Sequence, residues 1–255
     1  MGALVPAIGL TVPALLELRG VTKQFGGLIA NQDISFTIGA GEIVGLIGPN
    51  GAGKTTLFNC ITGYMHPEEG QISFGGADIT DAHPARVCGR GIARTWQVVR
   101  TFGRMTVLEN VICGALKRTN RVKEARTRAV RLLEFSGLAD KATLPAANLT
   151  LADKKRLEIA RALATEPRML LLDEAMSGLT PTETADAVRL VRRIHSELGV
   201  ALCVVEHVME VVMPLSQRVI VLDSGKKLIE GLPQEIVRNE QVIKAYLGEH
   251  RHEGR

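Results

Sequence analysis

The chain has 255 residues, 45% hydrophobic and 23% charged, enough apolar material for one large α/β unit or a core with a small attached lobe. Its formal net charge of +4 suits a phosphate-bearing ligand or an anionic surface and is too weak to argue for nucleic acid. Cys60, Cys88, Cys113 and Cys203 are widely spaced, with no C-x-x-C pair, which argues against a zinc site or disulfide framework and for reduced, mostly buried thiols.

The first sixteen residues are apolar, but they lack a basic start and contain Pro6 and Pro13. They are too short to span a bilayer, so an N-terminal arm over 1–14 is expected to lead into a first strand. Strands are expected over 15–18 and 34–38. Residues 41–47 then form a short apolar run, followed by Gly48-Pro49-Asn50-Gly51-Ala52-Gly53-Lys54-Thr55 and by Thr56 in a helix-forming segment over 55–62. This octet fits G-x-x-x-x-G-K-[ST] in the context that motif requires, a strand before it and a helix after it. Its glycines let main-chain N–H groups curl around an anion, and the new helix adds its own free N–H groups and dipole. Lys54 is placed for the β- and γ-phosphates and the Thr55 hydroxyl for Mg²⁺. A glycine-rich surface turn with a lone lysine would lack that flanking pattern. A nucleoside triphosphate site is implied.

Beyond the loop, residues 71–74 read as a strand closed by a Gly-Gly turn. From 84 to 167 the texture is helical, with apolar spacing over 107–116 and 122–135. Basic residues crowd 117–131 with no aromatics between them, as on a solvated helix face rather than a nucleic-acid surface. Met169–Asp173 is an apolar run of the kind buried in a parallel sheet. Thr180, Pro181 and Glu183 start a helix that can reach 198. Strands over Ala201–Val205, 218–222 and 226–230 and a helix ending near 247 complete the pattern. No internal repeat is evident. The expected organisation is a single domain over 15–250, its helical subdomain at about 88–165, and a tail over 251–255.

Further motifs follow in an order that resembles an ABC-type ATPase cassette over nearly the whole chain. Leu170-Leu-Leu-Asp173-Glu174 resembles the second nucleotide motif, four apolar positions before two acids. The resemblance implies that Asp173 holds Mg²⁺ and that Glu174 is the general base polarising the attacking water. It assigns Gln97 to sensing Mg²⁺ and the γ-phosphate, His207 to contacting the γ-phosphate, and Phe25 to stacking on adenine. It also implies the fold: a P-loop NTPase core with a mixed sheet, a small antiparallel β part and the helical subdomain.

The signature segment departs from the family pattern. Aligned on Leu157-Glu-Ile-Ala-Arg-Ala-Leu163, it reads Leu149-Thr150-Leu-Ala-Asp153 where L-S-G-G-Q is usual. Thr150 keeps the hydroxyl, Ala152 adds a methyl, and Asp153 adds a negative charge facing another. At about 4 Å such a repulsion is roughly 1 kcal/mol in water and about 4 at an effective dielectric of 20; Lys154 and Lys155 are the expected offsets. In this family ATP sits between two cassettes, so the departure would impair the partner's site. That points to a heterodimer with one faster site.

Segments such as Ile92-Ala-Arg-Thr-Trp-Gln97 and Arg156-Leu-Glu-Ile-Ala-Arg-Ala-Leu163 resemble the ATPases of bacterial branched-chain amino acid importers, of the larger of two paired types. The resemblance implies a second ATPase subunit, membrane permease subunits, an indirect solute-binding protein, and a peripheral place on the cytoplasmic face of the inner membrane. Two alternatives stay open. One is a soluble ABC-type ATPase acting on nucleic acid or ribosomes; such proteins normally carry two cassettes or long coiled coils. The other is a nucleotide-binding regulatory subunit that hydrolyses nothing, against which Glu174 and His207 stand.

Overall fold

The computed structural model describes residues 14–249; the expectations for the arm before Ala14 and the tail over 251–255 lie outside them. The chain opens with β1 (Ala14–Phe25) and β2 (Leu28–Gly39), an antiparallel hairpin far longer than the two short strands expected. It continues into β3 (Ile43–Ile47) and α1 (Lys54–Ile61), the strand–loop–helix unit. Then come β4 (Glu69–Phe74), β5 (Ala77–Asp78), α2 (Pro84–Arg90) and β6 (Ile92–Arg94). A run of helices follows: α3 (Val107–Ala115), α4 (Val122–Ser136) and α5 (Leu151–Leu163). The alternation resumes with β7 (Met169–Asp173), α6 (Pro181–Leu198), β8 (Ala201–Val205) and α7 (Met209–Leu215). It ends with β9 (Arg218–Asp223), β10 (Lys226–Gly231), α8 (Pro233–Ile236) and α9 (Glu240–Glu249).

Two sheets result. One is antiparallel with strand order β2-β1-β4-β5, and the other is mixed, β10-β9-β3-β8-β7-β6, with only β10 antiparallel to its neighbour. Every residue of β3, β7 and β8 is buried, as for parallel strands covered on both faces. One apolar core joins the inner face of the antiparallel sheet to α1, with Leu16, Ile34, Phe58 and Ile72 at its centre. A second lies under α5 and α6, around Leu172, Val191 and Val204. A third fills the helical part, from Val107 and Val111 through Leu133 to Leu157 and Ala164. Helix α5 thus contributes to two cores at once.

Local chemistry explains the helix starts. Thr106 and Glu109 form a reciprocal capping box on α3, and Thr180 and Glu183 form one on α6, where Pro181 fills the first turn. Two expectations need correction. Residues 92–94 fall inside the span assigned to the helical subdomain, yet they pair in parallel with Met169–Leu171 as the sheet's edge strand; a three-residue strand is too short to show a period. The thiols are not mostly buried. Cys60 and Cys203 are, and burial pushes Cys60 up to about 11, but Cys88 is half-buried and Cys113 exposed.

Candidate active site

Strand β3 ends at Ile47 and the chain turns through the glycine loop into α1, whose N-cap is Gly53 in the left-handed region at φ +96°. A Cβ on Gly53 would run into the Ala30 carbonyl, and one on Gly48 into that of Leu222, so both positions need glycine on steric grounds. Lys54 is buried, and its ammonium donates to the carbonyls of Gly48 (2.5 Å) and Pro49 (2.8 Å), bracing the loop it closes. The β1–β2 hairpin is tied to this loop from the side. Asn31 Nδ2 donates to the Gly53 carbonyl (3.2 Å); beside it, Gln32 N donates to Gly225 O (2.7 Å) and ties the hairpin to the β9–β10 turn.

These elements bound an open cleft of ≈ 420 Å³. Of the residues singled out in the sequence, it brings together Phe25, Asn50, Gly51, Ala52, Gly53, Lys54, Thr55, Thr56, Gln97, Glu174 and His207. Gly48 and Pro49 lie behind the loop as acceptors for Lys54. Leu28, Ile29 and Ala30 also line the cleft and were not anticipated; with the half-exposed Phe25 they form an apolar wall. Their only signal was proximity to Phe25.

At the opposite lip, the Glu174 carboxylate accepts from Gln97 Nε2 (3.0 Å) on one oxygen and shares a hydrogen bond with His207 Nε2 (2.6 Å) on the other. Glu174 follows β7 with φ +49°, uncommon for a residue other than glycine. Two contacts hold its backbone: Glu174 N donates to Val205 O (2.9 Å) and Lys155 Nζ donates to Glu174 O (2.8 Å); two residues on, Met176 N donates to the buried Glu206 carboxylate (2.6 Å).

Asp173 is completely buried, and Arg94 Nη2 donates to its Oδ2 (2.8 Å). Burial pushes the Asp173 carboxyl up, and Arg94 opposes that shift. Arg94 also donates to Asn59 Oδ1 (2.7 Å) and stacks over Trp96 at 4.1 Å. Sequence reasoning missed this arginine, because the strand that carries it is too short to be read as one. The other oxygen, Asp173 Oδ1, is buried with no hydrogen-bond partner.

Thr150 does not join the cleft. It is exposed at the N-cap of α5, where its hydroxyl accepts from Asp153 N (3.2 Å) and donates to Asp153 Oδ2 (3.1 Å). The charge expected to face a phosphate is turned inward. Asp153 is 5% exposed and pairs with Lys141 at 2.6 Å. The offset comes from Lys141, with Arg156 3.9 Å from the other oxygen, and not from Lys154 or Lys155. Lys155 is buried on Glu174, and Ala152 is buried as well.

Residues 31–177 match the family described as "ABC transporter", and residues 226–252 match that described as "Branched-chain amino acid ATP-binding cassette transporter". The chain is 40% identical to the high-affinity branched-chain amino acid transport ATP-binding protein LivG of Salmonella typhimurium, over 92% of this chain and 98% of that one. Among solved structures, the ADP conformation of MJ1267, an ATP-binding cassette of an ABC transporter, superposes with a TM-score of 0.84 at 29% identity, over 92% of this chain and 99% of that chain. The dimeric post-hydrolysis state of the cassette MJ0796, bound to ADP and Pi, gives 0.78 at 27% identity over 86% and 98%. Coverage that runs through both the phosphate loop and the C-terminal strand–helix unit makes this chain a member of the ABC transporter family, an ATP-binding cassette whose ATPase activity is coupled to transport.

Proposed function

We propose that this cassette hydrolyses ATP to drive a bacterial importer of branched-chain amino acids. One observation carries the hydrolytic part: the Glu174 carboxylate sits at the lip of the phosphate cleft, hydrogen-bonded on one side to Gln97 and on the other to His207. Adenine stacks on Phe25 against Leu28 and Ile29. The loop amides of 50–56 and Lys54 hold the phosphates, Glu174 takes a proton from the attacking water, and His207 contacts the γ-phosphate. The residues suit Mg²⁺, because Asp173 presents a buried carboxylate oxygen that nothing in the described protein satisfies. Thr55, Gln97 and Asp173 would hold the ion, which when bound neutralises phosphate charge.

Thr150, exposed outside its own cleft, fits a role toward the nucleotide of a second cassette. The inward turn of Asp153 removes the electrostatic reason for an impaired partner site, so the heterodimer rests on resemblance to the paired importer ATPases. A groove of ≈ 320 Å³ between the sheet edge and the helical part, walled by Tyr64, Val87, Trp96, Phe102 and Cys113, suits a cytoplasmic helix of a permease. Among the described residues no helix is long and apolar enough to cross a membrane, and a peripheral place on the cytoplasmic face is part of this reading. So is an indirect solute-binding protein.

The test is leucine, isoleucine and valine uptake by the assembled transporter with wild-type chain and with Glu174→Gln. The substituted chain is expected to bind ATP, lose turnover by about 10²–10⁴-fold, as removal of a general base does, and abolish uptake. Unchanged turnover would remove Glu174 from the chemistry; hydrolysis without uptake of these solutes would reassign the substrate.

A further inference from the structure

Helix α5 makes contacts that the hydrolytic scheme above does not use. Glu158 is 2% exposed, and both of its carboxylate oxygens are spent on the loop that carries Gln97: Oε2 accepts from Trp96 N (3.3 Å) and Oε1 from Arg100 N (3.0 Å). One turn on, Arg161 Nη2 donates to Arg100 O (2.6 Å) and lies 3.7 Å from Glu158 Oε1. One turn back, the buried Lys155 donates to the carbonyl of Glu174. Positions three apart on an α-helix drift by only about 60°. Lys155, Glu158 and Arg161 therefore form one stripe, facing first the carboxylate and then the glutamine.

Burying a carboxylate and an ammonium is costly unless each is paired and hydrogen-bonded. Here the offsetting contacts go to main-chain groups flanking the two residues that meet at 3.0 Å, Gln97 and Glu174. We propose that Lys155 and Glu158 are positioning residues for ATP hydrolysis, tethering the Glu174 backbone and both ends of the Gln97 loop to a single rigid helix. The inference rests on the hydrolytic role of Glu174 given above. Because α5 also packs into the helical core through Leu157 and Ala160, a displacement of that part carries Glu174 and Gln97 together.

The test uses the full chain, alone for exchange and binding and assembled with its transporter for turnover. In Glu158→Gln, an amide replaces one acceptor and opposes a main-chain N–H. Hydrogen exchange at residues 96–100 is expected to rise about tenfold or more, with the melting temperature of the whole chain held. In Glu158→Gln and Lys155→Met, kcat is expected to fall about tenfold, with MgATP affinity within twofold of wild type. Lys155→Arg, which keeps a donor for the Glu174 carbonyl, should restore most of the turnover. Unchanged exchange and kcat overturn the proposal. So do parallel losses of kcat, MgATP affinity and melting temperature, which mark a merely structural role. A wild-type chain that binds MgATP without hydrolysing it overturns the catalytic reading instead, and the exchange measurement still decides the tether.

Discussion

Arg94 and Asp173 form the ion pair that matters most at the residue scale, with side chains only 5% and 1% exposed. Removing one member of a buried pair leaves the other charged and unpaired, at a cost of about 3–5 kcal/mol. Arg94→Gln is therefore expected to lower the urea-unfolding free energy by that amount in nucleotide-free protein. The loss should shrink when Mg²⁺ and ATP are present, because the cation replaces the missing counter-charge. The glycine loop was legible in the sequence because it is written in a short motif; the paired acids and the histidine were singled out by resemblance, and the fold sets Glu174 and His207 at the loop's cleft. Arg94, Lys155 and Glu158 were not legible, since each acts on a group 19 to 79 residues away along the chain, and no local pattern records such a meeting. Asp153 shows the complementary failure: its identity was plain, but only the fold shows its carboxylate turned toward Lys141.

At the scale of elements, caps and hairpins carry their own measurable terms. Thr106 closes α3 by accepting from Glu109 N (3.2 Å), while the Glu109 carboxylate accepts from Thr106 N (2.7 Å). Thr106→Ala should cost about 1 kcal/mol of stability by urea unfolding, as loss of an N-cap does. In the β4–β5 hairpin, Asp78 accepts from the Thr80 hydroxyl (2.6 Å) and from Gln71 Nε2 (2.8 Å), which brings its carboxyl from the ordinary 3.8 down to about 2. A depressed carboxyl favours the folded state at all pH above its unfolded value. That contribution is lost as pH falls from about 4 to about 2. An NMR titration of the Asp78 side chain should give a midpoint near 2, moving up in Thr80→Val. Elements with strong periodicity or a cap, such as α4 and α6, were visible in the sequence. β6 was hidden, because three residues cannot declare a period and its strand character comes from pairing with β7.

For the whole molecule, the two sheets have different tasks. The mixed sheet presents the phosphate loop, the acids after β7 and the histidine after β8, while the antiparallel sheet brings Phe25 and its apolar neighbours to the far side of the same cleft. The α/β order of the mixed sheet was readable from its apolar runs; the length of the β1–β2 hairpin was not, since register shifts between Ala14 and Gln24 break the two-residue alternation. Where these sheets meet, the completely buried Asn31 reaches the Gly53 carbonyl. That joint works as a caliper: it sets the span between the end that grips a ring and the end that grips an anion. Loosening it should penalise only molecules that bridge both jaws. Asn31→Ala is expected to weaken ATP by about tenfold, the worth of one buried hydrogen bond, and to leave tripolyphosphate, which fills one jaw alone, bound as before.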